Sequence, residues 1–117
     1  MNITKVDLVI LNNATFQASI ELKEDDIPID LTGYTMYMHC RPSYQSSTIY
    51  FELHSNTNGG IVIDPTHGKF TLNIPASQTA TFEFLDAVYD VVAVKSDGTQ
   101  LRAMEGKVFI YFGSTHP

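Results

Sequence analysis

The sequence predicts an all-β fold of about eight antiparallel strands, a sandwich or a barrel, with one short helical turn. Three observations carry that expectation. Apolar side chains recur at every second position in segment after segment, the rhythm of strands with one buried face. Clusters of Gly, Pro, Asn and Asp separate these segments at regular spacing. No stretch carries a long 3.6-residue pattern, which disfavours a parallel α/β sheet. The 117 residues are 44% apolar, 11% aromatic and 17% charged. They are expected to form one domain over 1–117, with a core over about 5–112 and a loose polar tail at 113–117. A chain of this size buries roughly two-thirds of its unfolded surface and needs neither disulfide nor metal to fold.

Taken in order, Val6, Leu8 and Ile10 alternate with Asp7, Val9 and Leu11, predicting a first strand over 5–11 that Asn12-Asn13 ends. Phe16, Ala18, Ile20 and Leu22 share a face opposite Gln17, Ser19 and Glu21, the clearest half-buried strand. An acidic loop, Glu24-Asp25-Asp26, leads to a short extended piece at Ile27-Pro28-Ile29. Asp30-Leu31-Thr32-Gly33 reads as a turn, with Gly33 free to take a positive φ. Tyr34, Met36, Met38 and Cys40 form the next inward face, and Arg41-Pro42 stops it. Ile49, Phe51 and Leu53 alternate with Tyr50, Glu52 and His54, followed by a turn over 56–60 and a short strand at Ile61-Val62-Ile63. Turn chemistry returns at 64–68, and Phe70, Leu72 and Ile74 alternate with Thr71 and Asn73. Residues 75–80 form the one expected helical turn, crossing between sheets. A strand over 87–96, the hairpin signal Asp97-Gly98 and a return strand over 101–112 complete the chain, with Gly106 marking a possible bulge.

Thirteen acidic against seven basic residues give a formal charge of −6, and the cations are scattered. Neither nucleic acid nor an anionic membrane is therefore expected as a partner. Cys40 is the only cysteine, which excludes an internal disulfide and a multi-cysteine zinc site. Met1–Asp7 lacks the basic and apolar regions of a secretory leader, so the expected place of synthesis is a cytoplasm, where the protein stays or is assembled into something larger. Without a secretory route, the sequon Asn13-Ala14-Thr15 carries no weight.

Candidate chemical sites are sparse. Of His39, Cys40, His54 and His67, the first two are strand neighbours pointing to opposite faces, and His54 with His67 supplies only two metal ligands. Asp25, Asp26 and Asp30 lack the glycine and bidentate Glu of a calcium loop and read as a solvated tip that blunts a sheet edge. Cys40 shares the inward face of Met36 and Met38, and Ser43, Ser46 and Ser47 have no nucleophile-elbow glycines around them. Gly59-Gly60 and Gly98 are isolated turn glycines. No catalysis, cofactor or metal is expected. Tyr37, Tyr50, Phe109 and Tyr111 fall opposite the expected core, which suits a protein contact or a sugar-stacking platform unless a one-residue register slip buries them.

Several motifs in order resemble a family of small immunoglobulin-like structural proteins of tailed bacteriophages, related to the N-terminal domains of phage baseplate upper proteins. They are Ile27-Pro28-Ile29-Asp30-Leu31-Thr32-Gly33-Tyr34 leading into 36–41, Gly60-Ile61-Val62-Ile63-Asp64, and Gly68-Lys69-Phe70-Thr71-Leu72-Asn73-Ile74-Pro75 with Thr79. Val88-Tyr89-Asp90-Val91, Asp97-Gly98 and Glu105-Gly106-Lys107-Val108 close the pattern, while the acidic insertion 23–26 and the Tyr-rich loop 44–50 are this chain's own. The resemblance implies an immunoglobulin-like antiparallel β-sandwich of about seven to eight strands. It also implies a non-enzymatic virion part of the baseplate, tail tip, neck or collar, made in the host bacterial cytoplasm. Such a part would dock as a homo-oligomer onto other virion proteins through strand edges, loops and exposed aromatics, with Tyr37, Tyr44, Tyr50, Phe109 and Tyr111 as interface candidates. Gly33, Tyr89, Asp90, Asp97, Gly98 and Gly106 take structural roles, with the Tyr89 hydroxyl tied to backbone and Asp90 bracing a turn. The competing reading is a carbohydrate-binding module adsorbing to host glycans through Tyr37, Tyr44 or Tyr50, although the chain has no Trp, the best stacking residue.

Overall fold

The computed structural model describes residues 4–113. In chain order the elements are β1 (Thr4–Lys5), β2 (Leu8–Leu11), β3 (Phe16–Glu21), β4 (Lys23–Glu24), β5 (Ile27–Pro28), β6 (Tyr34–Arg41), β7 (Phe51–His54), β8 (Ile61–Asp64), β9 (Lys69–Ile74), α1 (Ala76–Thr79), β10 (Asp86–Lys95) and β11 (Gln100–Tyr111). A 3-10 turn at Pro65–His67 joins β8 to β9, so two short helical turns occur where one was expected.

Two sheets face each other. The larger runs β7-β6-β10-β11, with β1 and β2 placed end to end along the far side of β11; the smaller runs β3-β9-β8. Alternation explains the pairing: Ala87, Tyr89, Val91 and Ala93 of β10 point inward, as do Met36, Met38 and Cys40 of β6 and Phe70, Leu72 and Ile74 of β9. Burying each large apolar side chain contributes about 1.5–3 kcal/mol, so the interlayer space holds the sheets together. A three-strand layer against one built on two long central antiparallel strands is the immunoglobulin-like β-sandwich.

The structure departs from the sequence reading in several places. The first strand is interrupted at Val6-Asp7, and both halves pair with β11 in parallel, where an antiparallel partner was expected. Asp7 bends the chain by accepting the Lys107 N–H on its Oδ1 at 3.0 Å, and this leaves Val6, expected inside, exposed. Strand β7 starts at Phe51, so Ile49 and Tyr50 lie outside it and Ile49 is exposed. The bulge in β11 is not at Gly106, which stays in register with Tyr89; Val91 pairs with Met104 and Val92 with Arg102, leaving Ala103 as the extra residue. Gly106 is required for another reason, because the Val6 carbonyl crosses where its Cβ would stand. Asp90 sits in mid-strand between His39 and Glu105 and braces no turn. The acidic loop becomes a two-residue hairpin joining β4 and β5, with Asp25 and Asp26 at φ +53° and +64°. Beyond Gly113 the expected loose tail lies outside the described residues.

Candidate functional site

The outer faces of the two sheets differ in kind. On the smaller sheet, side chains directly opposite one another pair off. Gln17 Nε2 donates to Asn73 Oδ1 at 2.9 Å, Ser19 and Thr71 hydroxyls meet at 3.0 Å, and Lys69 Nζ lies 3.7 Å from Glu21. That face satisfies its own polar groups and faces water.

The larger sheet presents apolar groups outward along β2 and β11. Val9 stands beside Phe109 and Leu11 beside Tyr111, in direct register on the parallel pair. Their exposures are 56%, 40%, 52% and 67% respectively. Strand β2 is apolar on both sides, because Leu8 and Ile10 fill the core while Val9 and Leu11 emerge. A cluster of large exposed apolar side chains on one edge marks an interaction surface.

Toward the centre of this face lies a polar group. An Arg41 Nη2–H donates to His39 Nδ1 at 3.1 Å, which assigns the ring proton to Nε2, 3.4 Å from Glu52. Arg41 Nη1 also donates to Ser46 O at 2.8 Å and so ties down the start of the loop between β6 and β7. From that loop the Tyr44 hydroxyl donates to Gly106 O at 3.2 Å, crossing β10. Burial, and then the nearby Glu105 and Asp90 carboxylates, push the Tyr44 phenol above its ordinary range.

The expected interface aromatics are thus separated. Phe109 and Tyr111 share the β2–β11 strip, and Tyr37 lies over β6 beside His54 and Val92. Tyr44 lines a small depression with Arg41 and Asp90, whereas Tyr37 lines a different one with Glu52. Tyr50 stacks flat on Phe84 at 4.3 Å between ring centroids, and Phe84 in turn meets Phe51 and Phe82. Sequence reasoning assigned nothing to 81–86, so it missed this aromatic cap. Thr79, part of the family pattern and of the expected helical turn, was given no role there; it is buried, and its hydroxyl donates to Ala14 O at 2.8 Å and pins the β2–β3 turn.

Tyr89 is buried, and its hydroxyl donates to Val6 O; burial raises its phenol pKa. Gly33 and Gly98 hold φ of +83° and +93° in turns, and Asp97 Oδ1 accepts the Thr99 N–H at 2.9 Å. Of the candidates for chemistry, Cys40 is fully buried, and burial pushes its thiol up to about 12. His67 pairs with Asp64 at 3.0 Å, and Asp30 accepts the Thr32 N–H. Among the described residues, no three His, Cys, Asp or Glu side chains converge as a metal site would require.

An open cleft of about 940 Å³ lies along β7 and β8, which are joined at one end where the His54 N–H donates to Gly59 O at 2.9 Å. Asn56, Asn58, Asn73, Gln78 and Tyr34 line it, and beside it the buried His54 Nδ1 lies against Gly59 with no hydrogen-bond partner.

A family model described as the BppU N-terminal domain matches residues 10–96, well over half of the chain. No curated protein matches it. Among solved structures, one of the titin domains Z1Z2 in complex with telethonin is similar at 16% identity and a TM-score of 0.43. That likeness covers 93% of this chain and 45% of the other, so the chain spans less than half of that structure's length. A family match over residues 10–96 settles the assignment: the chain belongs to the BppU N-terminal domain family, the N-terminal domain of phage baseplate upper proteins.

Proposed function

We propose that this chain is a non-enzymatic structural part of a tailed-phage particle, held in the virion by contacts with other virion proteins and with further copies of itself. Family membership supports a place in the baseplate. The observation that carries the docking surface is the contrast between the two sheet faces: one pairs its polar groups internally, and the other displays Val9, Leu11, Phe109 and Tyr111 as a continuous strip. Docking over that strip removes apolar surface from water at roughly 25 cal/mol per Å², with Asp86 and Lys107 as the charged groups that flank Phe109 on the same face. Mass spectrometry of purified particles tests the reading, with the chain expected at stoichiometric levels. Replacing Phe109 and Tyr111 together by Ser is expected to leave the isolated protein folded and to deplete it from particles. Absence of the parent chain from particles would refute the proposal.

A second reading, adsorption to host glycans, finds support in the amide-lined cleft between β7 and β8 rather than in Tyr37, Tyr44 and Tyr50, which do not converge. Glycan-array binding that is lost in Asn58→Ala and Gln78→Ala, with no assembly defect, would favour it.

A further inference from the structure

Strand β2 has one side on β11, and no strand among the described residues pairs with the other. The Asn12 N–H donates to Tyr111 O at 3.0 Å. By the two-residue alternation of a strand, the backbone groups of Ile10 also face β11, and those of Val9 and Leu11 face away from the sheet. The Leu11 carbonyl accepts the Ala14 N–H at 3.2 Å within the turn and keeps a second lone pair.

The free edges differ in how they are guarded. Strand β7 carries Glu52, β8 ends in Asp64, β3 ends in Glu21, and the β4–β5 hairpin presents Lys23, Glu24, Asp25 and Asp26. Charges at an edge suppress pairing with another chain. Strand β2 reads Leu-Val-Ile-Leu, with neither charge nor proline. On a chain of net charge −6, it is the one edge strand of the two facing sheets, among the described residues, that carries no charged side chain.

We propose that β2 is a strand-addition site and that its occupant is β2 of a second copy, paired antiparallel about a two-fold axis at Ile10. In that register Val9 lies opposite the Leu11 of the other copy. Each such pair exchanges two N–H to C=O hydrogen bonds, so the two-fold generates four from the groups that now face outward. Residues on one face stay on that face across the junction. The two larger sheets run on as one, and the Val9, Leu11, Phe109 and Tyr111 strips merge into a shared apolar platform. The pairing is isologous, since the same edge serves both copies. It rests on the reading of the chain as an assembly part and names the surface through which copies join.

The test uses the full chain in solution. Size-exclusion chromatography with light scattering is expected to give a mass near twice 13.0 kDa at high concentration, falling toward the monomer on dilution. Val9→Pro removes an outward N–H at a position where an edge strand accepts proline, and it is expected to give monomer with an unchanged circular dichroism spectrum. Val9→Thr is expected to stay dimeric. The double variant Val9→Cys with Leu11→Cys is expected to cross-link between copies on oxidation, as the register requires. A parent chain that is monomeric at every concentration, a dimer that persists in folded Val9→Pro, or a failure of the double cysteine variant to cross-link would each overturn the proposal. A monomeric parent that is nonetheless found in purified particles would overturn this pairing alone and leave the virion role standing, with a different virion protein on the edge.

Discussion

Replacing Gly106 by Ala should detach the N-terminal edge from the sandwich, and the size of the effect follows from what converges there. A Cβ at residue 106 would overlap the Val6 carbonyl oxygen and lie 2.7 Å from the Val6 carbonyl carbon, both backbone atoms that cannot rotate away. Val6 must retreat, and three hydrogen bonds depend on its place: Val6 N–H to Glu105 O at 3.0 Å, Tyr89 hydroxyl to Val6 O, and Lys107 N–H to Asp7 Oδ1 at 3.0 Å. The two at the exposed edge are worth about 0.5–1.5 kcal/mol each, and a buried Tyr89 hydroxyl left unpartnered costs about 1–3 kcal/mol. Reduced freedom of the unfolded chain offsets about 0.4–1 kcal/mol for a Gly to Ala change. The expected net loss is about 1–6 kcal/mol and centres on about 3 kcal/mol, a fall of roughly 12 °C in Tm for a chain of this size. Urea titration at one protein concentration measures it, with the slope unchanged. Tyr89→Phe alone should cost about 1–2 kcal/mol. Because both substitutions break the same contact, the double variant should lose less than the sum, with a coupling of about 1 kcal/mol. A Gly106→Ala protein within about 0.5 kcal/mol of the parent, or strict additivity with Tyr89→Phe, would refute the reasoning.

Thr79→Val keeps the shape of a buried side chain but removes the hydroxyl that donates to Ala14 O. It should cost about 1–2 kcal/mol in urea unfolding and raise amide exchange in the β2–β3 turn first. Cys40 should resist iodoacetamide at pH 8 in the native protein and react fully in denaturant, since burial pushes its thiol up to about 12. The same shift sets an alkaline limit. A group whose folded pKa is raised stabilises the fold below its unfolded pKa, here 9.0, and that contribution is lost as pH rises from 9.0 toward about 12. The urea midpoint should therefore fall between pH 8 and pH 11, and less steeply in Cys40→Ala.

Alternation made the central strands legible. In β9 the positions Phe70, Leu72 and Ile74 could be assigned to the core from sequence because the polar Thr71 and Asn73 separate them, and Met36, Met38 and Cys40 of β6 follow the same rule. The Asp97-Gly98 turn was legible because its chemistry is local. Strand β2 was harder to read, since Val9 and Leu11 are as apolar as Leu8 and Ile10, and a run that is oily on both faces does not say which side meets solvent. The segment 81–86 showed no period, and its Phe82 and Phe84 find their place only by stacking on Phe51 and Tyr50 from a distant part of the chain.

What the sequence determined by itself was the central strands, the inward faces of β3, β6 and β9 and most local turns, since these follow from side-chain period and backbone preference over a few residues. What only the tertiary structure decided was the partnership of elements far apart in the chain. It placed a parallel N-terminal edge on β11, passed the Val6 carbonyl over Gly106, set the bulge at Ala103, and joined Val9 and Leu11 to Phe109 and Tyr111 in one exposed strip. Those contacts join residues up to a hundred positions apart, as Asp7 and Lys107 are, and depend on how the two layers stack. No local pattern encodes that stacking, because many registers satisfy the same alternation and only the packed interior selects one.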